Sequence, residues 1–186
     1  DILRSSKLMQ QKFGYDSGNT VLLLDTAASR KNIIGQLRSF LKKVKANDNV
    51  IIYFSGHGNK DPLTDGDYYF IPSDEEADDV STLVKSPDII DNFKSIKAKN
   101  CLLIIDACYS GLIFNSTNNN QKFSKQNSNK DASDLPSKWI ITSGGATKVS
   151  DGEPGANSPF ALQMINYLRD NNEESKLTIS KLINYL

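Results

Sequence analysis

Residues 101–108 read Cys101-Leu102-Leu103-Ile104-Ile105-Asp106-Ala107-Cys108, an unbroken apolar run that ends in an acid, a small residue and a thiol. A short continuous apolar run closed by turn-forming residues is the pattern of a strand buried on both faces. Residues 50–58 have the same layout: Val50-Ile51-Ile52-Tyr53-Phe54 runs into Ser55-Gly56-His57-Gly58. Two further strands are predicted, a short buried one over Thr20–Asp25 and another over Trp139–Thr142. Amphipathic segments lie between and after them. Ser29 is placed as the N-cap of a helix whose apolar face is Ile33, Ile34, Leu37, Phe40, Leu41 and Val44. Ser86-Pro87 opens a shorter helix through Ile96, Ser158-Pro159 one through Leu168, and a last helix starts near Thr178. Asp67-Tyr68-Tyr69-Phe70-Ile71-Pro72 has the look of a small hairpin element. Strands alternating with helices predict an α/β fold with a mainly parallel central sheet covered by helices on both faces. Ligands of such sheets bind beyond the carboxyl ends of the strands. His57 and Cys108 both fall at those ends, on different strands and 51 positions apart.

The bulk numbers narrow the field. The 186 residues fit one domain, over 1–186, with enough chain to bury a core. The 22 basic and 22 acidic side chains cancel, so the basic excess of a nucleic-acid binder is missing. No apolar run approaches the roughly 20 residues of a membrane span, and the first residues lack the layout of a signal peptide. Neither nucleic acid nor membrane is expected as a partner. Two cysteines are too few for a disulfide framework, and one histidine cannot build the usual zinc site, so no metal site is predicted. A reducing, cytoplasmic setting is the default expectation. The chain starts without methionine and stops inside an amphipathic pattern, which is expected of a piece of a longer protein.

The chemistry then rests on few residues. A thiol becomes a useful nucleophile when a base takes its proton, and His57 is the one imidazole present. Glycines on either side of His57, and Gly111 beyond Cys108, let the backbone turn sharply and approach a substrate. The amides of Gly58 and Cys108 are the natural donors for a developing oxyanion. Cys101, at the start of its strand, reads as a small core residue. Asp25 and Asp106 end strands and could mark a phosphoacceptor or metal pocket, but neither a phosphate-cradling glycine loop nor a second carboxylate accompanies either one.

Tyr53-Phe54-Ser55-Gly56-His57-Gly58 followed by Asp106-Ala107-Cys108-Tyr109-Ser110-Gly111 resembles the caspase clan of cysteine peptidases, and within it the metacaspase and paracaspase branch. The resemblance runs from Phe13-Gly14-Tyr15 to Ser158-Pro159-Phe160 and implies a caspase-like fold. It implies that Cys108 attacks the scissile carbonyl while His57 carries the proton, through a thioester acyl-enzyme and with no third triad member. It also implies that Ser55, Asp106 and Asp151 line the primary specificity pocket. Two carboxylates in a cleft favour a cation, so cleavage after Arg or Lys of a protein or peptide substrate is expected. The alternative for Asp151 is that it does no more than cap its Asp-Gly turn. The rivals are a catalytically silent homologue acting as a regulatory interaction module, and a cysteine hydrolase of non-peptide substrates. The Asn- and Lys-rich composition suggests an AT-rich genome and a prokaryotic regulatory or defence protease.

Members of the clan usually carry a strand and helix before the region where this chain opens. The usual first strand is therefore expected to be missing here, and an upstream segment or second chain is expected to complete the sheet. Residues 115–138, rich in Asn, Ser and Lys, are expected to form a mobile loop. Its Lys122, Lys125, Lys130 and Lys138 offer basic processing sites. No cofactor is required by this chemistry. Calcium activation, common among metacaspases, could use the acidic cluster of Asp74, Glu75, Glu76, Asp78 and Asp79.

Overall fold

In the computed structural model, which describes residues 1–61, 63, 68–117, 136–149, 156–171 and 177–186, the elements follow in a mixed order. They are α1 (Ile2–Phe13), α2 (Arg30–Lys43), β1 (Asn49–Ser55), β2 (Gly58–Lys60), β3 (Tyr68–Phe70), β4 (Val84–Lys85), α3 (Ser86–Ser95), β5 (Asn100–Asp106), β6 (Ser137–Thr142), α4 (Pro159–Asp170) and α5 (Ile179–Tyr185). The main sheet has the order β1-β5-β6. Both pairs are parallel, running from Asn49↔Asn100 to Ser55↔Asp106 and from Asn100↔Ser137 to Ile105↔Thr142.

The unbroken apolar run of β5 has a simple cause. Side chains alternate across a sheet, and here both faces are covered. Cys101, Leu103 and Ile105 enter one cluster with Leu37 of α2 and Ile89, Ile90 and Phe93 of α3. Leu102 and Ile104 enter the other with Met9 and Phe13 of α1, Met164 and Leu168 of α4, and Leu182 of α5. Every residue from Cys101 to Asp106 is buried. Each such aliphatic side chain contributes about 1.5–3 kcal/mol by leaving water, so this strand anchors both layers. The α/β expectation holds, with helices on both faces of a parallel sheet.

A second, antiparallel sheet, β2-β3-β4, sits directly after the histidine turn. Its register, Gly58↔Phe70 and Lys60↔Tyr68, sets the aromatic run beside that turn. Tyr68 and Phe70 are buried, with ring centroids 5.0 Å apart, and Phe70 meets Phe54 at 4.6 Å.

Two expectations need correction. Thr20–Leu24 does not form a strand; Val21 and Leu24 are exposed, and a 3-10 turn begins at Asp25. An apolar segment becomes a strand only where another strand offers its backbone, and among the described residues none lies in ladder contact with it. Lys138 does not belong to the loop. It stands within β6 opposite Cys101, and its ammonium donates to the carbonyls of Phe93 and Lys94 at the end of α3. Lys122, Lys125 and Lys130 lie outside the described residues. No helix among the described residues is long and apolar enough to cross a membrane.

Candidate active site

Parallel register decides where His57 and Cys108 meet. Ser55 and Asp106 are the last ladder pair of β1 and β5, and the Gly56 N–H extends the ladder to the Asp106 carbonyl at 3.1 Å. Each functional residue lies two positions beyond that pair, so the two chains emerge side by side at one sheet end. The contact is tight at Gly58. A Cβ there would stand 2.8 Å from the Cys108 carbonyl oxygen and 2.1 Å from the Tyr68 hydroxyl. Only glycine fits. His57 is exposed and Cys108 is partly buried.

The chain turns sharply after the thiol. Tyr109 takes φ 57, a left-handed conformation that costs a side-chain-bearing residue energy and persists only where its surroundings impose it. Those surroundings are residues 143–149, which run alongside residues 107–111. The Ser143 hydroxyl accepts from the Ala107 N–H at 3.2 Å, and the Thr147 and Gly145 carbonyls accept from Tyr109 and Gly111 at 3.0 Å. A Cβ on Gly111 would press to 2.7 Å from the Gly145 backbone. The same segment ends over Cys108, whose thiol donates to the Val149 carbonyl at 3.7 Å. A carbonyl can accept from a thiol this way but has nothing to donate to a thiolate, so the contact suits the protonated form.

Two amides are open beside it. The Ile71 N–H donates to the His57 carbonyl at 3.1 Å, which makes Gly58↔Phe70 a narrow pair whose own amides stay outside the ladder. Among the described residues no backbone carbonyl takes the Cys108 amide. Both predicted oxyanion donors are thus unspent.

Ser55 and Asp106, alternating with the core residues of their strands, point to the face covered by α1 and α4. The Ser55 hydroxyl donates to the Asp1 carboxylate at 3.4 Å. Asp106, 5% exposed, accepts from the hydroxyl of Ser158 at 2.5 Å. Ser158 is also the N-cap of α4, accepting from the Ala161 N–H at 2.9 Å. The buried Tyr53 hydroxyl has no hydrogen-bond partner among the described residues. Burial first, and the Asp106 charge second, push its ionisation far above the usual tyrosine range. Asp151, the second predicted pocket carboxylate, lies outside the described residues; Asp1 is a carboxylate beside Ser55 that sequence reading did not name.

The other expectations sort by burial. Cys101 is 2% exposed, and burial raises its thiol pKa, the reverse of what a nucleophile needs. In the acidic cluster, Asp74 accepts from the Arg30 N–H and Asp79 from the Ser81 N–H, so both carboxylates serve the backbone. Among the described residues no three metal-binding side chains converge.

Ser158, Val149 and Tyr68 were not singled out from sequence as site residues. Ser158 announced itself only as a helix cap, and a main-chain carbonyl carries no sequence signal at all. The Tyr68-Tyr69-Phe70 run soon after His57 was the one available hint.

An α/β sheet thus brings a histidine and a cysteine to adjacent strand ends, with two amides beside them that have no partner among the described residues. The chain belongs to the caspase domain family, whose model matches residues 1–185. It is similar to metacaspase-1B of Aspergillus niger, 32% identical over 73 residues, or 36% of this chain and 17% of that protein. Metacaspase-1A of Aspergillus oryzae is 34% identical, and metacaspase-1 of Schizosaccharomyces pombe 30%, each over 73 residues with the same coverage. The match spans 17% of the length of these relatives.

Proposed function

We propose that this chain is the peptidase domain of a cysteine endopeptidase that cleaves after Arg or Lys. The observation that carries the reading is the fit of Gly58 against Cys108, because it joins the histidine turn to the thiol turn with both amides free. In the proposed cycle the Cys108 thiol gives its proton to His57 and the sulfur attacks the scissile carbonyl. The oxyanion is held by the Gly58 and Cys108 amides. Collapse expels the amine, protonated by the His57 imidazolium, and leaves a thioester; water, deprotonated by His57, then releases the acid. Asp106 and Ser55, together with Asp151, select a cationic side chain. The support for this is a carboxylate kept buried at the sheet end, a costly placement without a partner to serve.

The domain further needs a neighbour on β1. Among the described residues this strand is paired on one side only, and its residues are mostly half-exposed where those of β5 are buried. An upstream segment or a second chain adding a strand there would satisfy the edge.

The test is a peptide panel varied only at the residue before the scissile bond, offered to the full-length protein and to Cys108→Ala. Cleavage after Arg or Lys that vanishes in the variant is expected. Cleavage after Asp would overturn the pocket assignment. No cleavage, with or without calcium, would overturn the peptidase reading in favour of an interaction module.

A further inference from the structure

Tyr68 is a fully buried polar side chain at the nucleophile. Its ring is fully enclosed, stacked edge-on to Phe70, and its hydroxyl has no hydrogen-bond partner among the described residues. The oxygen is aimed into the active site, at the spot where Gly58 and the Cys108 carbonyl close on each other. A buried hydroxyl without an acceptor destabilises a fold, and phenylalanine would fill the same space without that cost. Such a group calls for a partner that the resting structure does not yet supply.

We propose that the Tyr68 hydroxyl is a hydrogen-bond donor reserved for the Cys108 thiolate: on losing its proton to His57, the sulfur leaves the Val149 carbonyl and turns to the tyrosine. The switch follows from donor and acceptor inventory. The thiol donates and suits the carbonyl; the thiolate only accepts, is repelled by that carbonyl, and needs a donor. Tyr68 keeps its proton, and so has a hydrogen bond to donate, at working pH, because burial, with the nearby Cys108 charge adding to it, drives its own ionisation far upward. The other titratable or charged groups on the segments around Cys108 are His57 from the turn before β2, Tyr109 beside it, Lys148 next to Val149, and Asp106, which Ser158 engages. Of these, His57 is the proton acceptor and Tyr68 alone is a buried neutral donor.

The inference rests on Cys108 being the nucleophile, and the experiment separates the two. Alkylation of Cys108 by iodoacetamide is followed by mass spectrometry across pH in the full-length protein and in Tyr68→Phe, with thermal unfolding alongside. A donor to a charged acceptor is worth enough that its loss should lower the neutral-pH alkylation rate about tenfold or more. The melting temperature should stay level or rise, since only an unpartnered hydroxyl is removed. Tyr68→Met, which fills the space with an apolar side chain and no donor, should slow alkylation as well and covers the case in which Tyr68→Phe folds poorly. If wild-type Cys108 reacts no faster than a free cysteine at neutral pH, the nucleophile assignment falls and takes the inference with it. If it is reactive and both variants match its pH profile, the inference alone is overturned.

Discussion

Replacing Ser158 with alanine tests whether the candidate pocket is built as its hydrogen bonds indicate. The hydroxyl does two jobs at once, capping α4 through the Ala161 N–H and donating to the buried Asp106 carboxylate. Losing an N-cap costs about 1 kcal/mol. Leaving a buried charged acceptor without its donor costs a further 2 kcal/mol or so, for a total near 3 kcal/mol. At about 2–4 °C per kcal/mol for a domain of this length, the melting temperature should fall by about 6–12 °C. Urea unfolding of Ser158→Ala, Asp106→Ala and the double variant gives the coupling directly. It should be at least about 1.5 kcal/mol, the low end for a hydrogen bond to a charged group. Ser158→Asp should be worse than alanine despite being a good cap, because it sets one carboxylate against another. A loss near 1 kcal/mol for Ser158→Ala, with coupling within about 0.5 kcal/mol of zero, would mean that Asp106 is not held by Ser158.

Alkaline unfolding should report the buried tyrosines. Tyr53 and Tyr68 ionise well above the usual 10.0 in the folded chain, and Tyr15 is pushed up to about 12. Their contribution is whole below the unfolded-state value and is lost as pH rises toward the folded-state values, because only the unfolded chain then gives up the protons. The slope is about 1.4 kcal/mol per pH unit for each tyrosine, and urea midpoints of Tyr53→Phe/Tyr68→Phe should decline less steeply than wild type; parallel curves would refute the burial argument. At the free edge of β1, hydrogen exchange should find about half the strand amides unprotected in this chain alone, and protected once an added strand docks. Uniform protection of β1 without any addition would remove the need for a completing segment.

What could be read in advance follows from range of interaction. The β5 run, the Ser29 cap and the Ser158-Pro159 helix start are local patterns, and all three reappear in the structure. The placement of His57 and Cys108 at one sheet end was legible because parallel strands of an α/β sheet present one common end, so position along each strand was enough. The segment Thr20–Asp25 failed for the complementary reason: its apolar residues match a strand, but pairing is a property of the neighbour. Lys138 failed because composition marks a loop's interior better than its ends; β6 begins at Ser137, inside the polar stretch. The contact of Ser158 with Asp106 spans 52 positions and that of Cys108 with Val149 spans 41, and neither leaves a periodic trace.

Buried hydroxyls show where folding and chemistry part. Among the described residues the buried side-chain polar atoms without a partner are those of Ser5, Tyr53 and Tyr68. The two tyrosines sit on opposite sides of the same strand ends, Tyr53 near the Asp106 carboxylate and Tyr68 against Gly58 and Cys108. A chain shaped for stability alone would carry phenylalanine at both, since each ring packs well and each hydroxyl goes unused. Concentrating that cost at one end of the sheet makes sense if charge arrives there, a thiolate on one side and a substrate cation with its carboxylate on the other. The amides of Gly58 and Cys108, without a partner among the described residues, fit the same proposal, in which they too would meet a negative charge. The sheet end is therefore arranged for a state other than the one in which it rests.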